Sequence, residues 1–199
     1  FYSPIAWLVL IIFTVQACMT YFRLVDIMLM QQFNKPLWYS IAKEMYTGSM
    51  GLFPNMLVHL YLYIPLLTMG LMSREYSSGS IKLLYSSPVS SVQIIFGKFL
   101  SKMIYSLILV WILFFFVGFT AWNVPSFDMS LALSGLLGIY LVICSYAAIG
   151  LFMSCLTSYQ VVAAVATLGA LAFLNYVGRI GQEVPFIRDV PYWLSISGR

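Results

Sequence analysis

The sequence predicts an all-α integral membrane protein, a polytopic helical bundle, and three observations carry that expectation. Hydrophobic residues make up 62% of the 199 and charged residues only 8%, and the mean hydropathy is +0.94; a water-soluble domain of this size needs far more polar surface. The apolar residues are grouped in runs of roughly 20, the length that crosses a bilayer core as a helix. Those runs are continuous and do not alternate with period two, which argues against a transmembrane β-barrel. Five spans are expected, all within one domain covering residues 1–199.

The first span runs from about Ile5 to Val25, with Trp7 near one end and Tyr21 and Phe22 near the other, as interface anchors do. Arg23 and Asp26, three apart, share a helical face and are expected to pair at the boundary, because isolated charges are costly in hydrocarbon. Residues 27 to 54 read as a mixed connection with an interfacial helix near Ser40 to Tyr46. The second span, about Asn55 to Met72, contains His59 and Pro65. A proline inside a span frees a carbonyl, and the kink is tolerated where neighbouring helices repair it.

The most patterned polar segment follows, from Met72 to Val89. It opens with Arg74 and Glu75, breaks at Gly79 and Ser80, carries Ile81, Leu83, Leu84 and Tyr85 on one short apolar turn, and stops at Pro88. A short helix of this kind, wedged between two apolar runs, reads as a docking element between membrane and cytosol. Ser90 followed by Gln93 forms a capping box, so a helix starts near Ser91. Lys98 and Lys102 lie one turn apart on its first turns, with stems that can snorkel to head groups. The third span continues from Met103 to Trp122 until Asn123-Val124-Pro125 ends it. A short loop makes the fourth span, about Leu131 to Met153, its antiparallel neighbour; Gly135, Gly138, Ala147, Ala148 and Gly150 let helices approach closely there. The turn Ser154 to Gln160 leads to a fifth span, Val161 to about Val177, and to a polar, aromatic tail.

Charge and chemistry exclude several functions. The net charge of +4 sits almost wholly between the apolar runs, as in solvated loops and not as a nucleic-acid surface. Cys18, Cys144 and Cys155 show no metal or redox spacing and read as structural thiols, and Met28, Met30 and Met45 are too irregular to form a metal stripe. No metal site is expected. A single histidine without an intramembrane acid supplies no catalytic pair, and every acid lies at or outside a span boundary, which disfavours both an intramembrane enzyme and an ion-coupled secondary transporter. Gln16, His59 and Asn175 are the polar residues inside spans that qualify for a substrate path; such groups also serve as interhelical hydrogen-bond glue. The basic residues on the docking side (Arg74, Lys82, Lys98, Lys102) do not outnumber the others, so charge alone does not orient the bundle.

Pro65, Thr68 and Met69, then Glu75, Gly79 and Ser80, Leu83 and Leu84, Ser87-Pro88-Val89, and Gly97-Lys98 together resemble the permease subunits of ABC transporters of the ABC-2 type, closest to the gliding-motility-associated bacterial branch. Ser154, Thr157, Gln160 and Ala163 make a second match, and Tyr2-Ser-Pro-Ile5 is similar to the family's opening. Ser80 stands where the family usually has threonine, and Lys82 where it often has an acid.

The resemblance implies a six-span fold, with a last helix beyond Arg199 and the amino terminus and the Ser154 to Gln160 turn inside. It implies that Arg74 to Pro88 is a cytoplasmic coupling helix seated in a cleft of a separate nucleotide-binding subunit. Ile81, Leu84 and Tyr85 would then face a partner groove, and Glu75 would meet an arginine on the ATPase or on a neighbouring helix. The sequence has no G-x-x-x-x-G-K-[ST] motif, so ATP and magnesium are expected on that partner, or on a segment absent from this chain, and the chain itself is expected to be no enzyme and to bind no cofactor. The expected protein is one half of a dimer, paired with a second copy or a homologue in the bacterial inner membrane and acting as an exporter. The alternative is a non-transporting anchor or mechanical coupler driven by the same kind of ATPase.

Overall fold

The computed structural model describes residues 4–31, 43–80, 90–124 and 127–183. They form helices α1 (Pro4–Gln31), a five-residue π-helix (Lys43–Thr47), α2 (Leu52–Thr68), α3 (Ser73–Ser78), α4 (Ser91–Asn123), α5 (Met129–Leu156) and α6 (Gln160–Glu183). Among the described residues, five helical stretches are long and apolar enough to cross a membrane: Pro4–Met30, Lys43–Ser78, Ser91–Asn123, Met129–Leu156 and Gln160–Val177. The order of elements is the one the sequence predicts, with shifted ends. The first span continues to Gln31 because no glycine or proline interrupts it after Asp26. The second ends at Thr68, four residues early, where Leu71 N–H turns back to the Thr68 carbonyl at 3.1 Å around Gly70. At α4 the capping box forms as expected: Gln93 N–H donates to Ser90 Oγ at 3.3 Å and Ser90 N–H to Gln93 Oε1 at 3.1 Å.

The described residues fall into two compact units, those within 1–63 and 101–144, and those within 64–100 and 145–199. In the first, α1 buries a single stripe, Ala6, Val9, Phe13, Ala17, Tyr21 and Leu24, at the three- and four-residue spacing of one helical face. Its neighbour α4 does the same through Tyr105, Leu109, Leu113, Val117 and Thr120. The opposite faces keep Trp7, Phe22, Trp111 and Phe115 exposed, as lipid-facing surface requires. Lipid is as apolar as leucine, so close packing and hydrogen bonds, not water exclusion, must hold such stripes together. Both are present. A Cβ on Gly135 would lie 2.5 Å from Cε2 of the Phe53 ring, which shows how close the approach is. Tyr105 donates to the Ala6 carbonyl at 2.7 Å, and the Tyr21 and Tyr46 hydroxyls meet Thr120 Oγ1 at 2.9 and 2.6 Å.

Tyr46 corrects the expected interfacial helix. Its ring is fully buried between Phe53 and Phe127, and its hydroxyl also reaches the Phe116 carbonyl at 3.0 Å, so one side of the π-helix, Met45 and Tyr46, is pinned into the core while Lys43, Glu44 and Thr47 stay exposed. Residues 40–42 of that expected helix lie outside the described residues. Arg23 and Asp26 are both exposed and do not pair with each other; the ion pair among the described residues joins Lys98 and Glu75. At a solvated helix end an exposed pair gains at most ~1 kcal/mol, too little to hold two long side chains in register. The cysteines are all unpaired and half-buried.

In the second unit, α6 buries Ala163, Thr167 and Leu171, spaced by four. Its Thr167 hydroxyl is satisfied by the Ala163 carbonyl at 2.7 Å. The end of α5 presents Gly150 and Ser154, one turn apart and both buried, to the segment that follows α2.

Candidate functional site

The polar segment after α2 is built as a corner with three anchors. Thr68 is the first: its hydroxyl bonds the Ile64 carbonyl at 2.9 Å, and it lies against Gly150, where an added Cβ would come within 2.7 Å of Thr68 Cβ. Glycine is needed at 150 for this approach of α5.

Ser154 is the second anchor. Helix α3 opens at Met72, whose side chain cannot cap, so two buried N–H groups at its start lack a local acceptor. Ser154 supplies it from α5: its Oγ accepts from Met72 N–H at 3.0 Å and Ser73 N–H at 3.2 Å, and donates to the Met69 carbonyl at 3.1 Å. One hydroxyl thus fixes both ends of the turn between α2 and α3. Ser73 also donates to the Met69 carbonyl.

Lys98 is the third anchor. Its ammonium pairs with Glu75 and donates to the Leu71 carbonyl, both side chains being about three-quarters buried at 18% and 26% exposed. The other carboxylate oxygen of Glu75, Oε2, is buried and makes no hydrogen bond among the described residues. Lys98 therefore does not snorkel to head groups as expected; it turns to the corner. Lys102 instead lies over the Tyr105 ring, 5.9 Å from its centre. The partner of Glu75 is a lysine of a neighbouring helix, not the expected arginine. Arg74, adjacent in sequence, points away and is exposed, since neighbours one residue apart do not face each other on a helix.

The far end of α3 stops as the sequence predicts. Gly79 adopts φ 72°, the left-handed conformation, and its N–H bonds the Tyr76 carbonyl at 3.3 Å. Ser80 meets Ser78 through their hydroxyls at 2.8 Å. Ile81, Leu83, Leu84, Tyr85 and Pro88 lie outside the described residues. Helix α3 also packs against α6, and the turn between α5 and α6 is closed by Tyr159 N–H on Thr157 Oγ1 at 3.2 Å.

The residues expected along a substrate path are not gathered at one point. Gln16 accepts a hydrogen bond from Tyr63, whose ring stands edge-on to Phe13. His59, one turn before Tyr63, places Nδ1 2.6 Å from the Asn55 carbonyl, and Asn175 donates to the Leu171 carbonyl at 2.9 Å. Gln16 is the one of the three held by another helix. Tyr63 was missed because tyrosine in an apolar run reads as an interface anchor. Among the described residues no three His, Cys, Asp or Glu side chains converge on a metal-sized site.

Five span-length apolar helices and a short polar helix tied back to two of them define a multi-pass helical membrane protein. The match to a family model is specific: residues 1–184 fit the ABC-2 family transporter protein model, and the chain belongs to that family. It is thus a permease component of an ABC transporter. No curated protein and no solved structure matches the chain.

Proposed function

We propose that this chain is the membrane subunit of an ATP-driven exporter, and that the corner from Met69 to Gly79 is where a separate ATPase subunit delivers its motion. The observation that carries the reading is the three-point attachment of α3: Thr68 against Gly150, Ser154 on the Met72 and Ser73 amides, and Lys98 on Glu75. A solvated turn has no need of a cap borrowed from a residue 82 positions away. An element that passes force to helices does, because a loose corner would dissipate a small displacement before it reached α4 and α5.

ATP and magnesium would be held by the partner, since this chain has no phosphate-binding loop. Two copies, or this chain and a homologue, would form the moving unit in a bacterial inner membrane, and the loop motif favours the gliding-motility-associated branch of the family. Gln16 with Tyr63, and His59 one turn away, are the groups best placed to meet a polar portion of a substrate.

The test is purification of the full-length protein from its native membrane in mild detergent, with mass spectrometry of what accompanies it. A P-loop ATPase recovered with the wild type, and whose hydrolysis is uncoupled from the membrane subunit by Glu75→Arg, supports the reading. The absence of any P-loop ATPase from several detergents refutes it.

A further inference from the structure

The outward face of α3 carries a chemistry opposite to the one a docking acid would give. Glu75 is already neutralised by Lys98 within the chain. Arg74 is exposed, and no ion pair engages it among the described residues. Ser77 and Ser78, three and four residues on, are exposed on the same side of the helix, and their hydroxyls bond the Arg74 and Glu75 carbonyls at 3.0 and 3.4 Å. No further acid occurs in sequence until Asp128, whereas Lys82 adds a second cation to the same connection.

We infer that α3 is read by an acidic groove on the ATPase subunit, in which a carboxylate receives the Arg74 guanidinium. This rests on the proposed pairing with an ATPase and specifies its chemistry. A guanidinium offers two parallel N–H donors to one carboxylate, so it fixes orientation as well as attraction. The described outward face, Arg74, Ser77 and Ser78, has no large apolar side chain of the kind that seats an interfacial helix in lipid. That favours a protein groove over an anionic membrane surface. The roles of the two adjacent charges then divide: Glu75 holds α3 to its own chain, and Arg74 holds the partner.

The experiment uses the full-length protein in nanodiscs containing phosphatidylserine, together with whatever ATPase purifies with it. A water-soluble carbodiimide joins an amine to a carboxylate with loss of water and adds no spacer. Arg74→Lys places such an amine on α3, and the wild type shows the background from the native lysines. The expected result is a new amide link between position 74 and an aspartate or glutamate of the P-loop ATPase, with recovery of that ATPase kept by Arg74→Lys and reduced tenfold or more by Arg74→Glu. If the ATPase is recovered equally with Arg74→Glu and no link depends on position 74, the acidic groove is wrong while the ATPase pairing stands. A link to phosphatidylserine alone overturns the groove in favour of the membrane surface. Absence of any ATPase, even from the wild type, overturns both readings.

Discussion

Replacing Ser154 with alanine removes one oxygen and strands two buried amides. Met72 and Ser73 are both buried, and their N–H groups have Ser154 Oγ as acceptor. The Met69 carbonyl keeps a partner in Ser73, so the loss falls on the two donors. Hydrogen bonds between transmembrane helices average ~0.6 kcal/mol, and a buried donor left unsatisfied costs about 1–3 kcal/mol. Two bonds at the lower figure and partial relaxation at the higher one bracket the cost at about 1–3 kcal/mol. The change should be local, because the α5 backbone needs no shift to accept a smaller side chain. Hydrogen exchange of the full-length protein in nanodiscs should therefore show the amides of residues 72 and 73 exchanging roughly 10- to 100-fold faster, with tenfold corresponding to ~1.4 kcal/mol. Amides in the middle of α5 should change little. Ser134→Ala is the control: Ser134 is exposed and its hydroxyl bonds only its own helix, at Leu131. Unchanged exchange at 72 and 73 in Ser154→Ala would refute the trans cap and with it the view of Ser154 as an anchor.

Gly150→Ala should destabilise the protein by about 1–3 kcal/mol in detergent thermal unfolding, since its Cβ would come within 2.7 Å of Thr68 Cβ in a buried contact; Thr68→Ala in the same chain should recover part of the loss. A double-mutant cycle on Glu75→Gln and Lys98→Met should give a coupling of about 1 kcal/mol, more than an exposed pair shows, read from chemical unfolding. Tyr46→Phe should cost about 1 kcal/mol by removing the hydroxyl shared with Thr120 and the Phe116 carbonyl, while Tyr159→Phe, exposed, should cost nothing measurable. Gly79→Ala should fray the end of α3 at a cost of about 1 kcal/mol, because φ 72° is strained for a residue with a Cβ although nothing lies within 4 Å of it; exchange at residues 76 to 79 would report it.

The spans were legible because hydropathy and breakers act locally: a continuous apolar run, the Ser90 and Gln93 box and the Gly79 stop each speak for their own segment. What held those pieces together was not. Ser154 and Met72 are 82 residues apart, and no local signal marks a serine in an apolar helix as the cap of another helix. The motif around Ser154 and the Gly97-Lys98 pair drew attention to Ser154 and Lys98 without saying what they touch. Lys98 and Lys102 look alike in sequence, one turn apart at a membrane edge, and only the fold decides that one meets Glu75 while the other lies over Tyr105. Tyr46 was misplaced for a related reason. An aromatic residue in a polar connection suggests the head-group region, but the Thr120 hydroxyl provides a buried partner that makes the core affordable for its O–H.

The central claim is that α3, locked to its own chain, transmits ATPase motion, and a charge swap tests it most directly. ATP hydrolysis by the complex reconstituted in nanodiscs would be measured for the wild type, Lys98→Glu, Glu75→Lys and the two together, with the amount of bound ATPase determined in each. The account predicts that each single reversal uncouples hydrolysis from the membrane subunit while ATPase remains bound through Arg74, and that the double reversal restores the wild-type rate. Equal rates in all four forms would contradict it, leaving the Lys98 and Glu75 pair as a local contact with no part in coupling.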